Sequence, residues 1–254
     1  MIKWSANLGF LWADRPLPEA IMAARQAGFD AVECHWPYDC EPQLITDSLR
    51  RSGLSMLGLN TRRGDVSKGD YGVAAVPGRE EEARTYIDEA FSYAVAIECQ
   101  NIHVMAGFTD KSKKAEQTFQ ANLSYAAEQA EQADKTILIE PLNHHDVPSY
   151  HLQSVEAAAQ TIDAIGSKRV KIMFDFYHIQ ILQGDLLNRF KTYLPYIGHV
   201  QIAGVPHRAE PDTGEVNYPE LLPAVYEAGY NGYVGAEYKP VADTDSGLGW
   251  RAAY

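Results

Sequence analysis

A chain of 254 residues that is 46% hydrophobic and 22% charged has the length of one α/β barrel and enough apolar mass for a large core. Its net charge of −12 argues against nucleic acid or an anionic membrane as a partner, since both select basic patches. Cys34, Cys40 and Cys99 lack CxxC spacing, the N-terminus has no signal-type apolar run and no stretch reaches the ~18 apolar residues of a membrane span, so a cytoplasmic protein is expected.

Residues 2–8 read as a first strand that ends near Asn7. Over 18–27, Ala20, Ile21, Ala23 and Ala24 recur at helical spacing, and Gly28 ends the run as a C-terminal glycine does. Ala31-Val32-Glu33-Cys34-His35 is a second strand, ended by Trp36-Pro37. An amphipathic helix over 42–51 closes at Gly53, and 55–60 is a third strand. The glycine-rich, charged stretch 61–77 is longer than most connections and is expected to be a lid or binding loop. A long helix over 79–97 puts Ala83, Tyr86, Ile87, Ala90, Phe91 and Ala94 on one face. A fourth strand over 101–105 and a helix over 115–133 follow.

Thr136-Ile137-Leu138-Ile139-Glu140-Pro141 is the most informative stretch. Four apolar or β-branched residues make a buried strand, and the proline forces a turn because it has no N–H to give a sheet. One carboxylate is thereby fixed at the tip of a core strand, where it must be paired, protonated or metal-bound. Helices over 153–165, weakly over 182–194, and over 218–228 alternate with strands over 170–175, 197–202 and 233–237. Eight strands, a helix after each of the first seven and no linker predict a single (β/α)8 TIM barrel over 1–254. No GxGxxG follows the first strand, which weighs against an open doubly wound sheet.

Barrel active sites lie at the C-terminal strand ends. Here those ends carry Asn7, Glu33 with His35, Asn60, His103, Glu140, Asp175, Gln201 and Glu237. A polar tip alone is ordinary, but the last four each follow an apolar run. Three carboxylates converging in one mouth repel, and protonation or a cation relieves them. Oxygen donors with open positions suit Mg2+ or Mn2+, so Glu140, Asp175, Gln201 and Glu237 are expected metal ligands. His199, two residues before Gln201, is held in reserve as a ligand. Arg208, in the loop after the seventh strand, is placed to pair with a substrate carboxylate. Trp12, Trp36 and Tyr71 are candidates to wall the cavity. Asn60, Arg79 and His103 are weaker substrate-binding candidates, with capping of the long loop as the plainer role for Arg79.

Asp175-Phe176-Tyr177-His178, His199-Val200-Gln201-Ile202-Ala203 and Glu237-Tyr238-Lys239-Pro240 resemble the hydroxypyruvate isomerase family, within the xylose-isomerase-like TIM barrels. The resemblance runs nearly the whole chain, through Phe29-Asp30-Ala31-Val32-Glu33, Pro77-Gly78-Arg79-Glu80 and Gly247-Leu248-Gly249-Trp250. Gln201 is informative, because the related ketose 3-epimerases generally carry His there. The resemblance implies a metal-dependent isomerase of small hydroxy-oxo acids, with hydroxypyruvate or its four-carbon homologue, a 2-oxo-tetronate, as substrate. It implies Glu140 and Glu237 as proton carriers that also bind the metal, and His178 as a contact to substrate oxygens. A 3-epimerase on the same scaffold is the first alternative. A zinc hydrolase is disfavoured by the charge, and a non-catalytic barrel by the two glutamates. Oligomeric state stays open, though such barrels often pair as homo-oligomers through outer helices.

Overall fold

The computed structural model describes residues 2–254, so Met1, the first residue of the expected domain, lies outside the described residues. Its strands are β1 (Lys3–Asn7), β2 (Ala31–Glu33), β3 (Ser55–Met56), β4 (Gly58–Asn60), β5 (Asn101–His103), β6 (Thr136–Ile139), β7 (Val170–Asp175), β8 (Ile197–Ile202) and β9 (Tyr233–Ala236). All neighbours are parallel, in the order β3-β2-β1-β9-β8-β7-β6-β5-β4. The expected third strand is split at Leu57. The Leu57 N–H donates to Val32 O on one side (2.7 Å), and its carbonyl accepts from Asn101 N on the other (2.9 Å). The chain thus changes partner at one residue. Cys34 N to Gly58 O (3.0 Å) and Asn60 N to His35 O (2.8 Å) carry the pairing past the break, so the eight-strand ring expected of a TIM barrel is present.

The outer layer is α1 (Leu17–Gln26), α2 (Pro42–Ser52), α3 (Glu80–Ala96), α4 (Lys113–Ala133), α5 (Val155–Ile165), α6 (Phe176–Leu182), α7 (Leu186–Tyr193) and α8 (Tyr218–Glu227). The helix expected over 182–194 is corrected to α6 and α7. α6 leaves β7 at once, because the Asp175 side chain accepts from Tyr177 N and caps it. Gly184 and Asp185, both at positive φ, then turn the chain before α7. With helices outside and side chains inside, the strands are buried on both faces, which is why they read as apolar runs rather than alternations. The tail after Pro240 adds a 3-10 turn, Leu248–Ala253, that sets Trp250 edge-on to Trp4 at 4.8 Å between ring centroids. No described helix is long and apolar enough to cross a membrane.

Candidate active site

Four neighbouring strands bring the expected ligands together. Asp175 on β7 lies in register with Gln201 on β8, and Gln201 lies in register with Gly235, two residues before Glu237. Glu140 directly follows β6. All four side chains are buried.

Their surroundings are unequal. Glu237 has three donors: Asn7 Nδ2 and His35 Nε2 at 2.9 Å on Oε1, and Arg208 Nη2 at 2.6 Å on Oε2. His35 can reach it because residue 9 is glycine; a Cβ there would lie 2.0 Å from His35 Nδ1. Burial alone would raise the Glu237 pKa, but Arg208 and His35 outweigh it and hold it at about 2. Arg208 is largely enclosed, its side chain 12% exposed, rather than spread over a solvent loop. Its guanidinium also lies 3.4 Å from Asp175 Oδ2 and packs over the rings of Phe10 and Tyr177. Burial disfavours its charge, yet Glu237, Asp175 and Glu140 keep it firmly cationic. Asp175 is raised by burial to about 7, despite Arg208.

Glu140 has no such help. Its Oε1 has no hydrogen-bond partner, and the nearest bases stand off, His103 Nδ1 at 3.7 Å and His178 Nε2 at 3.9 Å. Burial first, then the charges of Glu237 and Asp175, push its pKa well above the carboxylate range. His103 is buried with neither ring nitrogen partnered, and burial lowers its pKa to about 4, so it is a neutral ring. His178 is neutral as well, its pKa lowered by burial and then by Arg208. The Asn143 N–H donates to His178 Nδ1 at 3.0 Å, leaving Nε2 as the ring's other edge. That nitrogen faces Glu140 and Asp175 and lies 3.1 Å from Arg208 Nη1.

Glu140, Asp175 and His178 each offer an atom within 4.8 Å of the others, a spacing one cation spans. Gln201 Oε1, buried without a donor, is a further candidate oxygen. A cavity of about 30 Å3, lined by Asn7, Glu33, His103, Glu140, Gln201 and Glu237, has room for one ion or water. Bare acceptor oxygens of Glu140 and Gln201 in a buried site fit a hard divalent cation.

A pH dependence follows. Glu140 and Asp175 both have raised folded values, so each contributes stability fully present below the unfolded carboxyl pKa of about 4 and lost as pH rises through the folded value. Glu237 is depressed, and its contribution is lost only in strong acid. In EDTA, Tm should therefore fall between pH 5.5 and 8. Mn2+ should raise Tm more at pH 8, because a cation at this site displaces protons. Equal Mn2+ gains at both pH values in a melting series would contradict the assignment.

The remaining expected residues divide. Asn60 lines the same small cavity as His103. His199 lines the same small cavity, with its Nε2 bonded to Glu33 Oε2 at 2.5 Å. Trp12 is corrected: it is a core residue against Phe29, with its Nε1–H on Asp245, and does not wall the cavity. Trp36 stacks beside His35, and Tyr71 lies near enough to Arg208, Glu140 and Glu237 to feel their charge. Arg79 ties the long loop by bonding Asp70 and Glu82. The residues the sequence did not reveal are Asn7 and His35 as holders of Glu237, and Arg208 as a bridge between two protein carboxylates. Their tip positions were the available signal.

Barrel and site define the class: the family model described as xylose isomerase-like TIM barrel matches residues 21–254. A hydroxypyruvate isomerase of Escherichia coli (strain K12) is 39% identical over 100% of both chains. A 2-oxo-tetronate isomerase of Cupriavidus necator is 39% identical over 100% of this chain and 99% of its own. A crystal structure of an AP endonuclease, family 2, from Brucella melitensis superposes with a TM-score of 0.96 at 38% identity, covering 100% of this chain and 99% of that one. The chain belongs to the hydroxypyruvate isomerase family of these barrels and is an isomerase.

Proposed function

We propose that this isomerase interconverts hydroxypyruvate and 2-hydroxy-3-oxopropanoate with the help of Mg2+ or Mn2+. The observation that carries the reading is the pair of buried glutamates on one cavity, Glu237 supplied with three donors and Glu140 left with a bare oxygen. Unequal environments of this kind separate two carboxyls into different proton-transfer roles. Glu140, Asp175, Gln201 and Glu237 would hold the cation, which when bound supplies Lewis-acid stabilisation of negative charge on the substrate oxygens.

The rest is done by the chain. One glutamate takes the C3 proton of hydroxypyruvate, leaving an enediolate, and a proton returns to C2. The hydroxyl proton moves from O3 to O2 as C3 becomes the aldehyde. The neutral rings of His178 and His103, both beside Glu140, offer polar ring edges to these oxygens. Arg208 brings the positive charge that a small anion needs in a protein of net charge −12. The same charge speaks against a nucleic-acid partner, although the Brucella relative is a nuclease by name.

Proton NMR in D2O with hydroxypyruvate, a 2-oxo-tetronate and D-fructose as separate substrates tests the reading. Hydroxypyruvate should turn over with kcat/KM at least about tenfold above the four-carbon acid, the discrimination one added carbon permits, and deuterium should enter C2. Preferred turnover of the tetronate moves the assignment to the longer acid. Epimerisation of D-fructose with no turnover of either acid overturns it.

A further inference from the structure

We propose that Glu33 is a positioning residue that fixes the Gln201 amide with its oxygen turned toward the cation site; the role rests on the metal reading above. Glu33 ends β2, with β1 and β9 between it and β8, and is buried inside the ring. It reaches across to Gln201 because β9 carries glycine beneath it. A Cβ at residue 235 would lie 2.4 Å from Glu33 Oε1 and 2.9 Å from Gln201 Cγ. The two side chains meet in the space that a side chain at 235 would fill.

The contact has a direction. Glu33 Oε2 is taken by His199 Nε2 at 2.5 Å, leaving Oε1 to accept from Gln201 Nε2 at 3.1 Å. The two ends of an amide have nearly the same shape and opposite chemistry, and a carboxylate offers acceptors alone. The nitrogen end must therefore face Glu33, and the oxygen end must face the cavity. There Gln201 Oε1 is buried with no donor, an arrangement that costs free energy unless something positive meets it. A glutamine ligand needs a partner to set which end faces the metal, as a histidine ligand needs one to set its tautomer. The same carboxylate takes a weaker third contact, Asn7 Nδ2 at 3.4 Å, and Asn7 Nδ2 also donates to Glu237 Oε1 at 2.9 Å. Glu33 and Asn7 thus link two of the proposed ligands, Gln201 and Glu237, without occupying ligand positions themselves.

The test is Glu33→Gln in the full chain, with folding checked by circular dichroism and melting, and Mn2+ alone titrated by calorimetry. An amide at 33 accepts either end of Gln201, so the ligand loses its orientation. The Mn2+ Kd should rise about tenfold or more, the usual cost of losing a ligand's partner. In a Gln201→Ala background the same substitution should add nothing further, because its effect passes through the amide. Unchanged Mn2+ affinity in Glu33→Gln, or an equal loss in both backgrounds, overturns the proposal and leaves Glu33 as a packing partner of His199. If Glu33→Gln does not fold, Glu33→Asp, which shortens the reach to Gln201, takes its place with the same expected rise in Kd. Wild-type protein that binds no Mn2+ removes the metal reading and this proposal together. Wild-type binding that Gln201→Ala weakens and Glu33→Gln does not removes this proposal alone.

Discussion

Glu140→Gln and Glu237→Gln should each lower kcat by about 10²–10⁴-fold, the range for a positioned proton carrier, but with opposite effects on stability. Glu140 is a buried carboxyl with a bare Oε1, and its charged form is disfavoured by burial and by Glu237 and Asp175. A neutral amide of the same shape relieves that repulsion, so Glu140→Gln should melt at or above the wild-type Tm in EDTA. Glu237 is the principal partner of Arg208, at 2.6 Å, and an amide there leaves a largely enclosed guanidinium with Asp175, at 3.4 Å, as its carboxylate partner. Breaking one side of a buried pair costs about 3–5 kcal/mol, so Glu237→Gln should melt clearly lower while remaining folded at 25 °C. Kinetics and melting curves on both variants check this. Near-normal turnover in either one removes that glutamate from the chemistry, and a lowered Tm for Glu140→Gln would show that its carboxyl is compensated after all.

How much of this was legible beforehand depends on the range of the interaction involved. Strand β7 (Val170–Asp175) came through to the residue, because an apolar run ending on Asp is a local signal and the cap on Tyr177 is made by the next residues in the chain. Glu140 was equally legible, since Pro141 ends the strand whatever the rest of the fold does. The break at Leu57 was not, because it arises from a choice between Val32 and Asn101, neither of them near in sequence. Arg208 reads as an exposed loop arginine from its neighbours. Its enclosure is set by Glu237, Asp175, Phe10 and Tyr177, which come from three separate parts of the chain. Trp12 failed for the converse reason: a strand-end aromatic looks like a cavity wall until Phe29 is seen to pack against it and Asp245 to accept its Nε1–H. Positions of polar groups along a strand are local information; which oxygen receives a donor is not.

That distinction bears on the second large effect, expected when divalent metal is removed. Exhaustive EDTA treatment should abolish turnover, and Mg2+ or Mn2+ should restore it. The argument runs through charge. Four buried carboxyls, Glu33, Glu140, Asp175 and Glu237, share one mouth with the guanidinium of Arg208, and Glu33 has His199 and Gln201 as partners. Arg208 satisfies Glu237 and lies only at the edge of hydrogen-bond reach of Asp175, whose pKa burial still raises to about 7. Glu140 is left to hold a proton, and a carboxyl that holds its proton at neutral pH cannot accept one from carbon. A divalent cation among Glu140, Asp175 and Gln201 would supply the missing charge, ionise Glu140 and give the Gln201 oxygen its partner. Removal should therefore do two separable things: end turnover, and shift the proton uptake of the folded protein upward near neutral pH. Potentiometric titration with and without Mn2+ measures the second independently of substrate, as protons released on adding metal. Full activity after chelation, with no proton release on adding Mn2+, would mean that the four tips are held by hydrogen bonds alone.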